Sequence, residues 1–499
     1  MACAKLLLPI LLLISFAFVA FSFRYGNPCD CESSCREYKG EAQVTCMRIC
    51  KQICSEEPGI KPENPRRGER EERHNPYYFG KERYAHVAKT EGGNFRVLEN
   101  FSRRSKLLKG IEKYRVAILE TEPRTFAMPS HLDADELFYV MSGEGTISIL
   151  YQENRETYEI RRGDIMMIPA GSIIYQVNKH QTERLRIAML LCPVSMPGQF
   201  VEFMQAGGQN PETFWNSFSD EILEAAFNAP RERFERVFQR QSKGEIFRAS
   251  DEQIKALSKS SKGKLGKPFN ILNKRPSFSN NHGQLFEVTS DDYARLKEGD
   301  FDVSIANITR GSMMAPNYNP KATKIAIVVQ GCGDFEMACP HVSRESGEEE
   351  ERGREWGREE ESEREWRRER GRERDHGSER GERRSERGET EGHTYSLVQS
   401  RVCRGDVFVI PAAHPVVAVA SRDNNLQILC FGINAENNMK VFLAGKNNVL
   451  KQMEKEAKEL AFNTPATEVD RLLNAQPESV FFAGLGEARH GHDQRHASE

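Results

Sequence analysis

Cys339 and His341 flank Pro340. On a strand, residues i and i+2 share a face, so this thiolate and imidazole can converge. Soft sulfur with borderline nitrogen suits copper, with zinc as the rival. Magnesium and calcium prefer oxygen. The competing reading is an ordinary buried Cys beside a hydrogen-bonded His. A second set lies near the N-terminus, where Cys29, Cys31, Cys35, Cys46, Cys50 and Cys54 crowd one short stretch. Cys31 and Cys35 are four apart, as are Cys46, Cys50 and Cys54. On a helix that spacing stacks side chains on one face. Gly40 sits midway and divides the stretch into two short antiparallel helices. The geometric choice among fifteen connectivities is then nested: Cys35–Cys46, Cys31–Cys50 and Cys29–Cys54. A zinc site is the rival, and the absence of nearby His argues against it.

These residues need elements to hold them. The chain has 499 residues, a net charge of −3, 38% hydrophobic and 29% charged residues. That length can bury large cores, and no basic excess points to nucleic acid. The one long apolar run, Leu6–Phe21, follows Lys5 and ends in Ala20-Phe21-Ser22, which reads as a secretory signal with the mature start near Phe23. No membrane attachment is expected after its cleavage, and secretion favours disulfides. Asn100-Phe101-Ser102 and Asn307-Ile308-Thr309 are N-glycosylation sequons.

A repeat decides the architecture. Gly143-Glu144-Gly145, Arg162-Gly163-Asp164 and Ile168-Pro169-Ala170 recur in order as Gly331-Cys332-Gly333, Arg404-Gly405-Asp406 and Ile410-Pro411-Ala412. Runs such as Tyr114–Leu119, Leu137–Val140, Arg186–Leu191, Lys324–Val329 and Leu426–Phe431 read as strands. Each half closes on a helical pattern: Ser219–Phe238 in the first, Asn447–Phe462 then Val469–Leu473 in the second. Two β modules with helical arms imply duplication. The halves differ by an insertion, 344–391, with 14 Arg, 19 Asp plus Glu and no aliphatic residue among 48 positions. No core can form there, so a disordered loop is expected. Cys332 and Cys403 align with Glu144 and Arg161, an opposite-charge pair. The correspondence predicts that the two cysteines are neighbours and that a disulfide replaces an ion pair.

Gly163, then five residues, then Pro169-Ala170-Gly171, with Asn178 beyond, has the form of the second cupin motif. His131, Glu136 and Gly143 form part of the first. With Asn75-Pro76-Tyr77-Tyr78-Phe79, Phe218–Phe227, Ala338-Cys339-Pro340-His341 and Pro411-Ala412-Ala413-His414-Pro415, the chain resembles the vicilin-like 7S globulins, bicupin seed storage proteins. The resemblance implies a mainly β fold: two cupin jelly-roll barrels, each with a C-terminal helical arm, preceded by a disulfide-rich helical hairpin. The expected divisions are signal 1–22, hairpin 23–54, charged linker 55–75, N-terminal cupin with arm 76–245, linker 246–268, C-terminal cupin with arm 269–485 and tail 486–499. A homotrimer built through the arms and deposition in the protein storage vacuole are implied too.

Enzymatic cupins hold a metal with His-x-His, Glu and a further His. Here those positions are Pro129, His131, Glu136 and Ile174 in the first module. In the second they are Asn317, Asn319, Thr323 or Lys324, and Val416. The cage is lost in both halves, so no catalysis is expected. Some vicilins carry copper elsewhere, and that resemblance adds His414 and Tyr77 or Tyr78 to Cys339 and His341. The first module has Tyr151, Glu153 and Ser172 at the corresponding places, which limits such a site to one per chain. Storage is the leading function. A precursor of antimicrobial hairpin peptides and a copper- or small-ligand-binding cupin are the alternatives.

Overall fold

The computed structural model describes residues 75–208, 210–259, 265–340 and 395–484. The signal, the hairpin with its nested cysteines, linker residues 55–74, His341, the loop 344–391 and the tail lie outside the described residues. Both modules belong to one compact unit, Glu71–Glu499. Among the described residues no helix is long and apolar enough to cross a membrane.

Each module is a pair of antiparallel sheets. In the first, the inner sheet runs in the order Tyr84–Thr90, Gly93–Leu98, Arg115–Thr121, Leu185–Pro193, Ala134–Ser142, Asp164–Ile168 and Phe269–Asn270. The outer sheet runs Glu202–Met204, Thr125–Leu132, Ile173–Asn178, Glu144–Tyr151 and Asn154–Arg161. Ile246–Arg248, in the stretch read as a linker, also pairs with Thr125–Leu132, and Asp251–Leu257 after it is a helix with a capping box. The second module repeats this plan. Phe301–Ile308, Leu426–Ile433, Thr323–Gln330 and Val407–Ile410 lie within its inner sheet. Ser396–Cys403, Cys332–Cys339 and Val416–Ala420 lie within its outer one.

The closed barrels expected from the sequence do not form. Among the described residues no ladder joins inner to outer sheet in either module, so each is an open two-sheet sandwich. The corners explain this. The chain leaves the inner sheet at Gly143 and returns at Gly163, at φ of 80° and 93°, and Gly331 and Gly405 do the same at 77° and 96°. These left-handed corners, which favour glycine, turn the chain out of one ladder before it can extend that ladder into the other.

The first module's inner sheet is buried on both faces. Phe138, Val140, Met166, Ile168, Ile187 and Met189 face its own sandwich. Leu137, Tyr139, Ile165, Met167, Ala188 and Leu190 face a core continuous with the second module. Two-sided burial is why Ile165–Ile168 and Leu185–Leu191 read as almost unbroken apolar runs. Outer strands such as Asn154–Arg161 instead mix buried and exposed positions.

The modules also exchange strands. Tyr78–Phe79, ahead of the first module, pairs with Val407–Ile410 of the second. Phe269–Asn270, ahead of the second, pairs with Asp164–Ile168 of the first. The aspartate of each Arg-Gly-Asp turn fastens this exchange. Asp406 accepts from the Cys403 amide (2.8 Å), the Lys81 amide (3.1 Å) and the Tyr78 hydroxyl (3.2 Å). Asp164 accepts from the Arg161 amide (2.8 Å) and the Asn270 side chain (2.7 Å).

The first helical arm is broken where a continuous pattern was expected, and the second divides after Phe462, where its two expected segments part. The first is Asp220–Phe227 and Arg231–Phe238; the second is Lys455–Phe462 and Ala466–Leu473, after a 3-10 turn at Val449–Gln452. Asn228 and Asn463 cap the leading helices at φ of 46° and 47°, and Pro230 and Pro465 open the following ones. The left-handed Asn and the proline start form a shared breaker, Phe-Asn-x-Pro.

Candidate functional site

Cys339 ends the strand Cys332–Cys339 and is fully buried. Burial pushes its thiol up to about 12, against the opposing pull of a hydrogen bond with Tyr77. Tyr77 is held by backbone geometry: its amide donates to the Asn75 side chain (3.0 Å) and its carbonyl accepts from the Val409 amide (2.9 Å). The Tyr77 ring lies 6.3 Å from the His414 ring, centroid to centroid. His414 is buried, and its Nδ1 lies 2.9 Å from the Ala412 carbonyl oxygen. A carbonyl only accepts, so Nδ1 carries a proton, and in the neutral form of the ring the lone pair would sit on Nε2.

The structure therefore gathers Cys339, Tyr77 and His414. Tyr78 is placed apart, with its hydroxyl on Asp406 (3.2 Å), because neighbours on a strand face opposite sides. His341 lies outside the described residues. Among the described residues, no group of three or more His, Cys, Asp or Glu is placed to hold a metal ion.

In the first module, His131 stacks on Phe203 at 4.8 Å, and its Nδ1 lies 2.8 Å from the Gln205 side-chain nitrogen. Burial holds its pKa below the usual range, with Asp133 opposing. Glu136 is buried, and desolvation, then Glu202 and Asp135, push it up to about 8. Glu202, bonded to Ser130 at 2.6 Å, is also raised by burial. Glu245 is pushed up to about 7, again mainly by burial. The three carboxyls and Gln176 line one cavity of about 70 Å³ among apolar side chains. Sequence reasoning found Glu136 but missed Glu202 and Glu245, which sit in later segments with no motif around them.

Register shows what the second module did with the same position. Glu136 pairs with Ile168, and Lys324 pairs with Ile410, the same residue of the repeated Ile-Pro-Ala. Lys324 is thus the counterpart of Glu136. It is buried and forms an ion pair with buried Asp302.

Cys332 and Cys403 face each other across the ladder and are joined by a disulfide. Glu144 and Arg161 occupy the same register in the first module, though no ion pair joins them. Asn100 caps the short helix Phe101–Arg104, accepting from the Ser102 amide at 3.0 Å. Asn307 lies within the strand Phe301–Ile308, between Gln284 and Gln427.

The family model described as Cupin matches residues 113–233 and 269–470. Cupincin from Oryza sativa subsp. indica is 48% identical over 441 residues, covering 84% of this chain and 90% of that protein. Vicilin Cor a 11.0101 from Corylus avellana is 42% identical over 470 residues, covering 91% and 94%. Among solved structures, the hazelnut vicilin superposes with a TM-score of 0.70 at 43% identity, covering 82% of this chain and 99% of that one. The Capsicum annuum vicilin gives 0.71 at 37%, covering 82% and 100%. With two cupin modules, strong identity and near-complete coverage of these relatives, the chain belongs to the vicilin family of bicupin seed storage proteins, whose role is storage rather than catalysis.

Proposed function

We propose that this storage protein is a homotrimer assembled through its helical arms, carried by the secretory route to the seed's protein storage vacuole and degraded at germination. The observation that carries the assembly is apolar surface on both arms. Ile222 (58% exposed) and Val237 (65%) stand out on the first, and Leu460 (86%) and Leu472 (76%) on the second. Obligate interfaces are large and apolar at their centres, which is what such side chains supply. Light scattering on the purified protein should give three chains per particle at micromolar concentration; a stable monomer would refute the assembly.

Copper binding belongs to the same proposal. Cys339, His414 and Tyr77, with His341, offer thiolate, imidazole and phenolate donors, which suit copper. A protonated buried thiol must release its proton to bind, so uptake is favoured as pH rises. Metal analysis should find about one copper per chain, and Cys339→Ser should remove most of it without dissociating the trimer. Copper content unchanged by that substitution, or absent from the parent protein, would sink the assignment.

A second reading concerns the N-terminal cysteines. A relative named "Vicilin-like antimicrobial peptides 2-3" from Macadamia integrifolia is 41% identical over 480 residues, covering 91% of this chain. Residues 23–54 are proposed as a releasable antimicrobial hairpin. An oxidised synthetic peptide of that span should inhibit microbial growth, and an inert one would leave the stretch a propeptide.

A further inference from the structure

The Arg-Gly-Asp repeat is only half used by the fold. Its aspartates hold the corners and the exchanged strands, whereas its arginines, Arg162 and Arg404, are exposed and form no ion pair among the described residues. Both line one cavity of about 600 Å³ between the modules. The cavity is lined in matched pairs. Arg162 answers Arg404, and Ser142 answers Gln330, each just ahead of a corner glycine. Arg186 answers Gln427, each opposite that residue in the ladder. It therefore lies where the two copies of the duplicated fold meet, and duplication itself doubles the arginine there.

The electrostatics are one-sided. Lys81, Arg96, Arg162, Arg186 and Arg404 line the space, against one carboxylate, Glu120. Glu120 is already engaged, 3.1 Å from Arg186 and 3.8 Å from Arg96. Lys81, Arg162 and Arg404 remain without a carboxylate partner among the described residues. Guanidinium groups bind phosphate oxygens in pairs of parallel hydrogen bonds, and a concave basic site concentrates anions. The volume exceeds what one phosphate fills and lies within the roughly 300–1,000 Å³ of small-molecule sites.

We propose that this inter-module cavity binds a small polyphosphorylated anion, gripped from both sides by Arg162 and Arg404. This is independent of copper binding and of the arms.

Inorganic tripolyphosphate is the probe, titrated calorimetrically into the full-length protein at low ionic strength. One ion should bind per chain, and affinity should fall steeply with added salt. The double variant Arg162→Gln/Arg404→Gln should lose about ten-fold or more in affinity, the loss of roughly one strong charge-assisted contact. Arg248→Gln/Lys255→Gln removes the same charge from exposed positions outside the cavity and should bind like the parent. Both replaced arginines are exposed, and melting and particle size confirm that each variant is folded. Should the double variant fail that check, Lys81→Gln alone supplies the comparison and should still weaken binding measurably. No binding by the parent, or equal affinity in the cavity and control variants, would overturn the site. Citrate binding as tightly as tripolyphosphate would overturn the assignment to phosphates.

Discussion

A single register position shows how the duplicated module diverged. Glu136 and Lys324 occupy equivalent places, one a buried acid without an ion-pair partner among the described residues and one a buried base paired with Asp302. The carboxyl of Glu136 moves from 4.5 to about 8 on folding. Across that window the folded protein keeps the proton and the unfolded chain has lost it, so this group's contribution to stability falls as pH rises. Glu136→Gln should therefore raise the melting temperature at about pH 8 and change it little near pH 4.5. An equal gain at both would contradict the titration. Lys324→Met strands the Asp302 charge and should cost about 3–5 kcal/mol. The double change Lys324→Met/Asp302→Leu should cost less than either single one in denaturant unfolding, because no buried charge is then left alone. The sequence makes the lost metal cage plain, since ligand types at fixed motif spacing are directly readable. It also aligns Cys332 and Cys403 with Glu144 and Arg161, because a duplication lets one half annotate the other. Glu202 and Glu245 were not legible: they reach Glu136 only through pairing around Thr125–Leu132.

At the scale of elements, long buried strands were legible and short ones were not. Leu185–Pro193 and Leu426–Ile433 declare themselves through apolar runs. Tyr78–Phe79 and Phe269–Asn270 are two residues long and have no periodicity to read, yet they tie the modules together. The break in each arm was present in the letters, as Phe227-Asn228-Ala229-Pro230 and Phe462-Asn463-Thr464-Pro465; apolar spacing stopped at Phe462 in the second arm but carried a helix straight across the break in the first. The exchange makes a specific claim about Asp406. Replacing it with Ala removes the acceptor for Tyr78, Lys81 and Cys403 together. Hydrogen bonds to charged groups contribute roughly 1.5–3 kcal/mol each, so the edge strand should open locally before the protein unfolds. Hydrogen exchange should accelerate at the Val409 amide, which bonds the Tyr77 carbonyl, and hold steady at the Met167 amide in the other module. Uniform acceleration would mean that Asp406 supports the whole fold rather than the exchanged strand.

For the whole molecule, closed symmetry constrains how the arms meet. A cyclic trimer cannot pair identical patches around its ring, so each interface joins two different surfaces of adjacent protomers. Each chain has two apolar arms, one ending each module, and the ring closes if the first arm of one chain packs on the second arm of the next. The exposed Val237 and Leu460 then belong to opposite sides of the same interface. Placing a carboxylate at either position, Val237→Asp or Leu460→Asp, buries an unpaired charge and should leave each variant monomeric alone. Mixing the two variants tests the arrangement. The intact first arm of Leu460→Asp can still meet the intact second arm of Val237→Asp, so one sound interface survives per pair. The mixture should give heterodimers that stop at two chains, because the remaining arms are both defective. Light scattering of each variant and of the mixture separates the outcomes. Dimers of either variant alone would show that the arms pair like with like, monomers in the mixture would show that the first arm does not meet the second, and trimers in either single variant would show that the ring is built from some other surface.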